Sequence, residues 1–231
     1  LAAEKARKKD AETAQEQAGT SVESYFERFC MGDAEWNQQH EREMYESEHG
    51  VIGFRGKIKG ERPKWYHHMP ARRIKEQVGD DIWNSYFKFS IVRNPWDKAV
   101  SAYSHFGKNY ICKSHIGLFS KILHPNWSHE QRRFLSYLRH GNLPKDRNKY
   151  LINGNLCVDY VLHFEELHEG VKAVCEKVGI PWDESRLPKY KANIRKKSIK
   201  PEQLYTKPAC RFIKSFYADE IQRFGYEYPF K

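Results

Sequence analysis

An α/β fold with a parallel sheet is predicted for this 231-residue chain by two strand-to-helix transitions and one apolar stripe. The first transition runs from Phe87 to His105. Residues 87–92 are aromatic and β-branched, as a short buried strand is, and Ala99, Val100 and Tyr103 follow at helical spacing. The second is a strand over 156–164, then a helix over 165–178 that Gly179 stops. The stripe is Phe212, Ile213, Phe216, Tyr217, Ile221 and Phe224, the core face of a C-terminal helix opened by Thr206 and Pro208 and closed by Gly225. Strands that alternate with helices place those helices on the faces of a parallel sheet.

In chain order, residues 1–17 are rich in Ala, Glu, Lys and Gln and polar on every face. They have nothing to bury and are set apart as a solvated segment, with 18–231 read as one domain. Gly19-Thr20-Ser21 then leads into an amphipathic helix carrying Val22, Tyr25, Phe26 and Phe29. A glycine and two hydroxyls at a helix start fit an ordinary cap and equally a backbone cradle for phosphate oxygens. Residues 51–54 read as a second strand. The stretch from Trp65 to Ile74 enters a helix ahead of the central strand, and it holds the adjacent pair His67 and His68. Neighbouring histidines on a loop rarely face one ion without further ligands, whereas an imidazole suits proton transfer near neutral pH. His68 is the candidate for that task and His67 the next.

After the central strand, Asn94 offers an N-cap side chain and Pro95 fits the first helical position. Arg93 therefore sits where a strand ends and a helix begins, the place where open α/β sheets bind ligands and where anions are favoured. A guanidinium pairs two phosphate oxygens at once, and Ser101 can add a hydroxyl. The basic, aromatic stretch 106–148 reads as acceptor-binding loops and variable surface, with a short helix over 131–140 closed by Gly141. It contains a glycosylation sequon, Asn126-Trp127-Ser128, which matters only in a secretory compartment. Arg195, Lys196 and Lys197 lie in a late basic run that fits a solvated surface or an anion-closing loop.

The formal net charge of +10, from 40 Lys and Arg against 30 Asp and Glu, asks for an acidic partner: a nucleotide, an anionic glycan or nucleic acid. No nucleic-acid module or continuous basic helix is evident, so a stable nucleic-acid complex is not expected. A phosphotransferase would need a Gly-x-x-x-x-Gly-Lys loop, which is absent. Five scattered cysteines have neither metal-ligand nor disulfide-framework spacing, and no metal is expected. No apolar run reaches the length of a membrane span. The expected compartment is the cytoplasm, or the Golgi lumen if an anchor upstream of Leu1 has been removed.

The run Val92-Arg93-Asn94-Pro95-Trp96-Asp97-Lys98-Ala99-Val100-Ser101-Ala102-Tyr103 resembles the 3′-phosphate-binding segment of sulfotransferases, in particular the carbohydrate sulfotransferase branch. The stretch Val158-Asp159-Tyr160-Val161 to Phe164-Glu165, followed by Gly179-Ile180-Pro181, is similar to the same branch. The resemblance implies a P-loop-NTPase-like sheet flanked by helices. It also implies a donor, 3′-phosphoadenosine 5′-phosphosulfate (PAPS), with the 3′,5′-bisphosphate (PAP) as product, and a hydroxyl acceptor on a carbohydrate or small molecule. Arg93 and Ser101 match the residues that hold the 3′-phosphate. Gly19, Thr20 and Ser21 match the end of the 5′-phosphosulfate motif. His68 matches the histidine that takes the acceptor's proton, and Arg195, Lys196 and Lys197 fall on the loop that closes over the nucleotide. The chain departs from the pattern at Gln15 and Glu16, where the family has Pro and a catalytic Lys that stabilises the leaving oxygen. The alternative is therefore a catalytically degenerate relative that binds the nucleotide without transfer.

Overall fold

The structure, a computed structural model, describes residues 16–32, 35–107, 122, 125–188 and 200–230. In chain order its helices and strands are α1 (Glu16–Met31), β1 (Tyr45–Ser47), β2 (Gly50–Ile52), α2 (Ala71–Val78), α3 (Asp80–Ser85), β3 (Phe89–Val92) and α4 (Pro95–Phe106). They continue with α5 (His129–His140), α6 (Arg147–Tyr150), β4 (Leu151–Ile152), β5 (Asn155–Leu156), β6 (Tyr160–His163) and α7 (Leu167–Val178). The last are α8 (Pro201–Leu204), α9 (Lys207–Phe216) and α10 (Ala218–Phe224). The fold class is α/β, as predicted: β3 and β6 pair in parallel, Phe89 opposite Tyr160 through Val92 opposite His163. Both strands are shorter than their hydrophobic runs, because Phe87 and Lys88 precede the ladder and Asn155–Leu156 turn back to pair with β4 instead. Among the described residues no helix is long and apolar enough to cross a membrane.

The described residues pack as two compact units. One contains 17–92 and 146–188. Its core is Val22, Tyr25, Leu162, Val171, Cys175 and Leu187, so α1 and α7 bury the faces their apolar spacing marks. Gly170 on α7 lets that helix approach β6, since a Cβ there would lie 2.5 Å from Leu162 Cγ. The irregular stretch before β1 is held by charge rather than by a ladder. Glu27, buried on α1, accepts from Arg42 Nε at 2.8 Å and from Arg55 Nη1. The two guanidiniums also donate to the carbonyls of Asn37, Gln39 and His40. Backbone acceptors outside a ladder need other partners, and here side chains supply them.

The other unit contains 93–107, 125–145 and 200–230 among its described residues. Trp96, Ala99, Val100 and Tyr103 of α4 pack with Phe134, Tyr137 and Leu138 of α5 and Ile213 of α9. Side-chain caps start α4 and α5. Asn94 Oδ1 accepts from Trp96 N at 3.1 Å ahead of Pro95. Ser128 and Gln131 form a reciprocal capping box that starts α5 two residues earlier than expected. The single C-terminal helix expected from the stripe is two helices. Tyr217 leaves helical geometry at φ −109°, ψ 25°, and its buried hydroxyl donates to Pro144 O at 2.8 Å. A buried ion pair joins α4 to α10, with Lys98 Nζ 2.6 Å from Glu220 Oε2.

Candidate functional site

Arg93 and Ser101 come together. Arg93 directly follows β3 in the chain and precedes the N-cap Asn94, and Ser101 lies in the second turn of α4. Arg93 Nη1 lies 3.4 Å from Ser101 Oγ. Two donors that close can both reach a single anionic oxygen at ordinary hydrogen-bond lengths. Asp97, one turn on from Arg93, sets the orientation: its Oδ2 accepts from Nε at 2.7 Å and lies 2.6 Å from Nη2. The side chains of Arg93 and Asp97 are 13% and 17% exposed, so the pair is shielded enough to hold a fixed geometry yet open to a ligand. The guanidinium is thereby turned with its Nη1 edge toward the serine hydroxyl.

The histidine pair lies on the loop into α2. Phe54 N donates to Trp65 O at 2.9 Å, and His67 N donates to Phe54 O at 2.7 Å, which fixes the loop against the strand region. His67 Nδ1 is 3.1 Å from that same Phe54 carbonyl oxygen. His68 has a left-handed backbone, φ 59°, a conformation that costs free energy in a non-glycine residue and recurs at functional sites. Its Nδ1 lies 3.3 Å from Lys149 Nζ, and that ammonium is 2.9 Å from Oδ1 of the buried Asp146. Past the loop, Pro70, Arg72, Arg73, Glu76 and Gln77 line an open cavity of about 430 Å³. Arg73 and Arg62 place their guanidiniums 5.6 and 4.9 Å from the Tyr66 ring centre, so basic and aromatic groups alternate along this surface.

Gly19, Thr20 and Ser21 lie inside α1, which begins at Glu16, and not at a helix start. From Gly19 onward the backbone N–H groups belong to the helical ladder, and Thr20 and Ser21 are buried at 3% and 4% exposure. This arrangement offers no cradle of backbone donors. Arg195, Lys196 and Lys197 lie outside the described residues. Among the described residues no group of three or more His, Cys, Asp or Glu side chains is placed to hold a metal ion.

The sequence reading passed over Asp97, Asp146 and Lys149. Asp97 had a signal, the i, i+4 spacing to Arg93 on a helix. Asp146 and Lys149 had none that pointed at a site, because their partner His68 is 81 residues away from Lys149.

Comparison with known proteins gives the family of the chain. An uncharacterized protein of Archaeoglobus fulgidus is 30% identical over 116 residues, which span 49% of this chain and 84% of that protein. No solved structure matches. The profile of the sulfotransferase family matches residues 57–227, a span that contains the histidine loop and the Arg93–Ser101 cluster and begins after Gly19–Ser21. The chain belongs to the sulfotransferase family.

Proposed function

We propose that the protein transfers a sulfuryl group from PAPS to a hydroxyl of a carbohydrate or small-molecule acceptor. Family membership supports sulfotransferase activity in general, and the observation that carries the finer reading is the convergence of Arg93 and Ser101. A guanidinium and a hydroxyl at a strand-to-helix turn suit the 3′-phosphate that sets PAPS apart from other adenine nucleotides. Asp97 would keep the guanidinium in register. The basic, aromatic surface around Tyr66 and the cavity beside it suit a polar acceptor. A histidine of the loop, His68 or else His67, would take the reacting hydroxyl's proton.

The placement of Gly19–Ser21 within α1 favours a second reading, nucleotide binding without transfer, because the 5′ side then lacks its expected donors. Calorimetric titration with PAP, beside adenosine 5′-phosphate and an Arg93→Ala variant, tests the shared part of both readings. Loss of a charge-assisted contact costs about 1.5–3 kcal/mol, so Arg93→Ala is expected to weaken PAP by roughly 10- to 150-fold and to leave the monophosphate unaffected. Equal affinity for the two nucleotides in the unaltered protein refutes it. Transfer of labelled sulfate from PAPS to a panel of hydroxyl acceptors then separates the enzyme from the silent binder.

A further inference from the structure

The two adjacent histidines have hydrogen-bond partners of opposite kinds. A carbonyl oxygen only accepts, so the contact of His67 Nδ1 with Phe54 O at 3.1 Å requires the hydrogen on Nδ1. An ammonium only donates, so the contact of Lys149 Nζ with His68 Nδ1 at 3.3 Å requires a bare Nδ1. Asp146, buried at 1% exposure and 2.9 Å from the same ammonium, aims it at the imidazole. A neutral imidazole carries one ring hydrogen. The lone pair of His67 is therefore at Nε2, while Nε2 of His68 is an N–H. The rings stand 4.9 Å apart and nearly perpendicular, at 80°. The left-handed backbone of His68, next to the buried Met69, is the kind of local cost that a fixed ring position requires.

We propose that Lys149 is a positioning residue that fixes His68, whose Nε2 is sealed from solvent, in its Nε2–H tautomer, so that the acceptor hydroxyl's proton passes to Nε2 of His67 and not to His68. The proposal rests on the sulfuryl-transfer reading above. In the balanced step the hydroxyl oxygen forms the new bond to sulfur. The bond from sulfur to the 5′-phosphate oxygen breaks, and its electron pair leaves on PAP. The hydroxyl proton moves to His67, which becomes an imidazolium and later returns the proton to solvent.

Long-range ¹⁵N–¹H NMR of protein labelled in its histidine rings reads the tautomers directly, well above the ordinary imidazole pKa of about 6.5. The chain has 11 histidines, so His67→Gln and His68→Gln variants assign the two rings by loss of signal. The expected result is Nδ1–H at His67 and Nε2–H at His68. Lys149→Met is expected to move His68 toward Nδ1–H, and Lys149→Arg, which keeps a cationic donor, to leave it in place. Nδ1–H at His68 in the unaltered protein, or an unchanged tautomer in Lys149→Met, overturns the proposal. If Lys149→Met does not fold, Lys149→Gln makes the same test, and Nδ1–H at His68 in the unaltered protein overturns the proposal without any variant. The spectrum needs no nucleotide, so its outcome is separate from whether PAPS binds. In transfer assays His67→Gln is expected to lose about 10²–10⁴ in rate. His68→Gln, whose amide keeps an N–H at the same reach, is expected to lose no more than about tenfold. The reverse order of losses returns the proton to His68.

Discussion

Replacing Lys98 by Met tests how α4 is anchored, and the size of the effect follows from burial. Lys98 and Glu220 have side chains 2% and 3% exposed, 2.6 Å apart, and the ammonium lies 5.0 Å from the centre of the Tyr217 ring. At that separation and an effective dielectric constant of about 20 the gross attraction is roughly 6 kcal/mol, most of which offsets the desolvation of two ions. Removing the ammonium takes the ion-pair partner from a buried carboxylate, at a cost of about 3–5 kcal/mol. For a chain of this length that is on the order of 10 °C in Tm. Glu220→Leu is expected to cost a similar amount, since it strands the ammonium. The double variant Lys98→Met/Glu220→Leu replaces a pair by apolar volume and is expected to fall within about 1 kcal/mol of the unaltered protein. Urea titrations of all four proteins give the double-mutant cycle. Single losses below about 1 kcal/mol, or losses that simply add in the double variant, would refute the reasoning.

Two further predictions concern the other unit. Gly170→Ala drives a Cβ to 2.5 Å from Cγ of the fully buried Leu162. The expected cost is about 1–3 kcal/mol of overpacking, only partly offset by the better helix propensity of alanine, and adding Leu162→Val should recover part of it. A urea midpoint that does not fall would show that α7 and β6 have room to part. Asp159, which accepts from Lys88 N at 2.7 Å and lies 2.8 Å from Lys88 Nζ, has its pKa lowered chiefly by the Lys88 side-chain hydrogen bond. A carboxylate with a lowered folded pKa stabilises above its unfolded pKa of about 3.9, and that contribution vanishes as pH falls through the folded value. Because Asp159 is 45% exposed, the gap to Asp159→Asn should be no more than about 1 kcal/mol at neutral pH. It should close in acid, and a gap of the same size at roughly pH 2 would contradict the linkage.

What the sequence made legible was what local chemistry dictates. Asn94 and Pro95 announce a helix start whatever surrounds them, and Phe89–Val92 is apolar enough to be a strand only inside a sheet. Arg93 could thus be set at the turn in advance and Ser101 on the helix that follows it. The misplacements came where distant contacts overrode local preference. Gly19 looked like a boundary, yet α1 runs through it, since a single glycine costs a helix only about 1 kcal/mol. The C-terminal stripe kept its helical period across Tyr217, so nothing local revealed the break that the hydrogen bond to Pro144 accompanies. Lys149 looked like one more surface cation until the fold set it against His68.

The guanidinium lattice of Arg42, Arg55 and Glu27 has a practical meaning for measuring anion binding. Mobile ions weaken attractions they can surround, and they scarcely reach charges sealed from solvent. Arg42 and Arg55 are 7% and 6% exposed and Glu27 is 3%. Their bonds to one another and to the strand-free backbone around them should therefore survive concentrated sodium chloride. The contact proposed between Arg93, whose side chain is 13% exposed, and a nucleotide phosphate should not. Ionic strength can then be raised to strip an anionic ligand from a protein that stays folded, and a loss of binding on adding salt will report on the ligand's contacts alone.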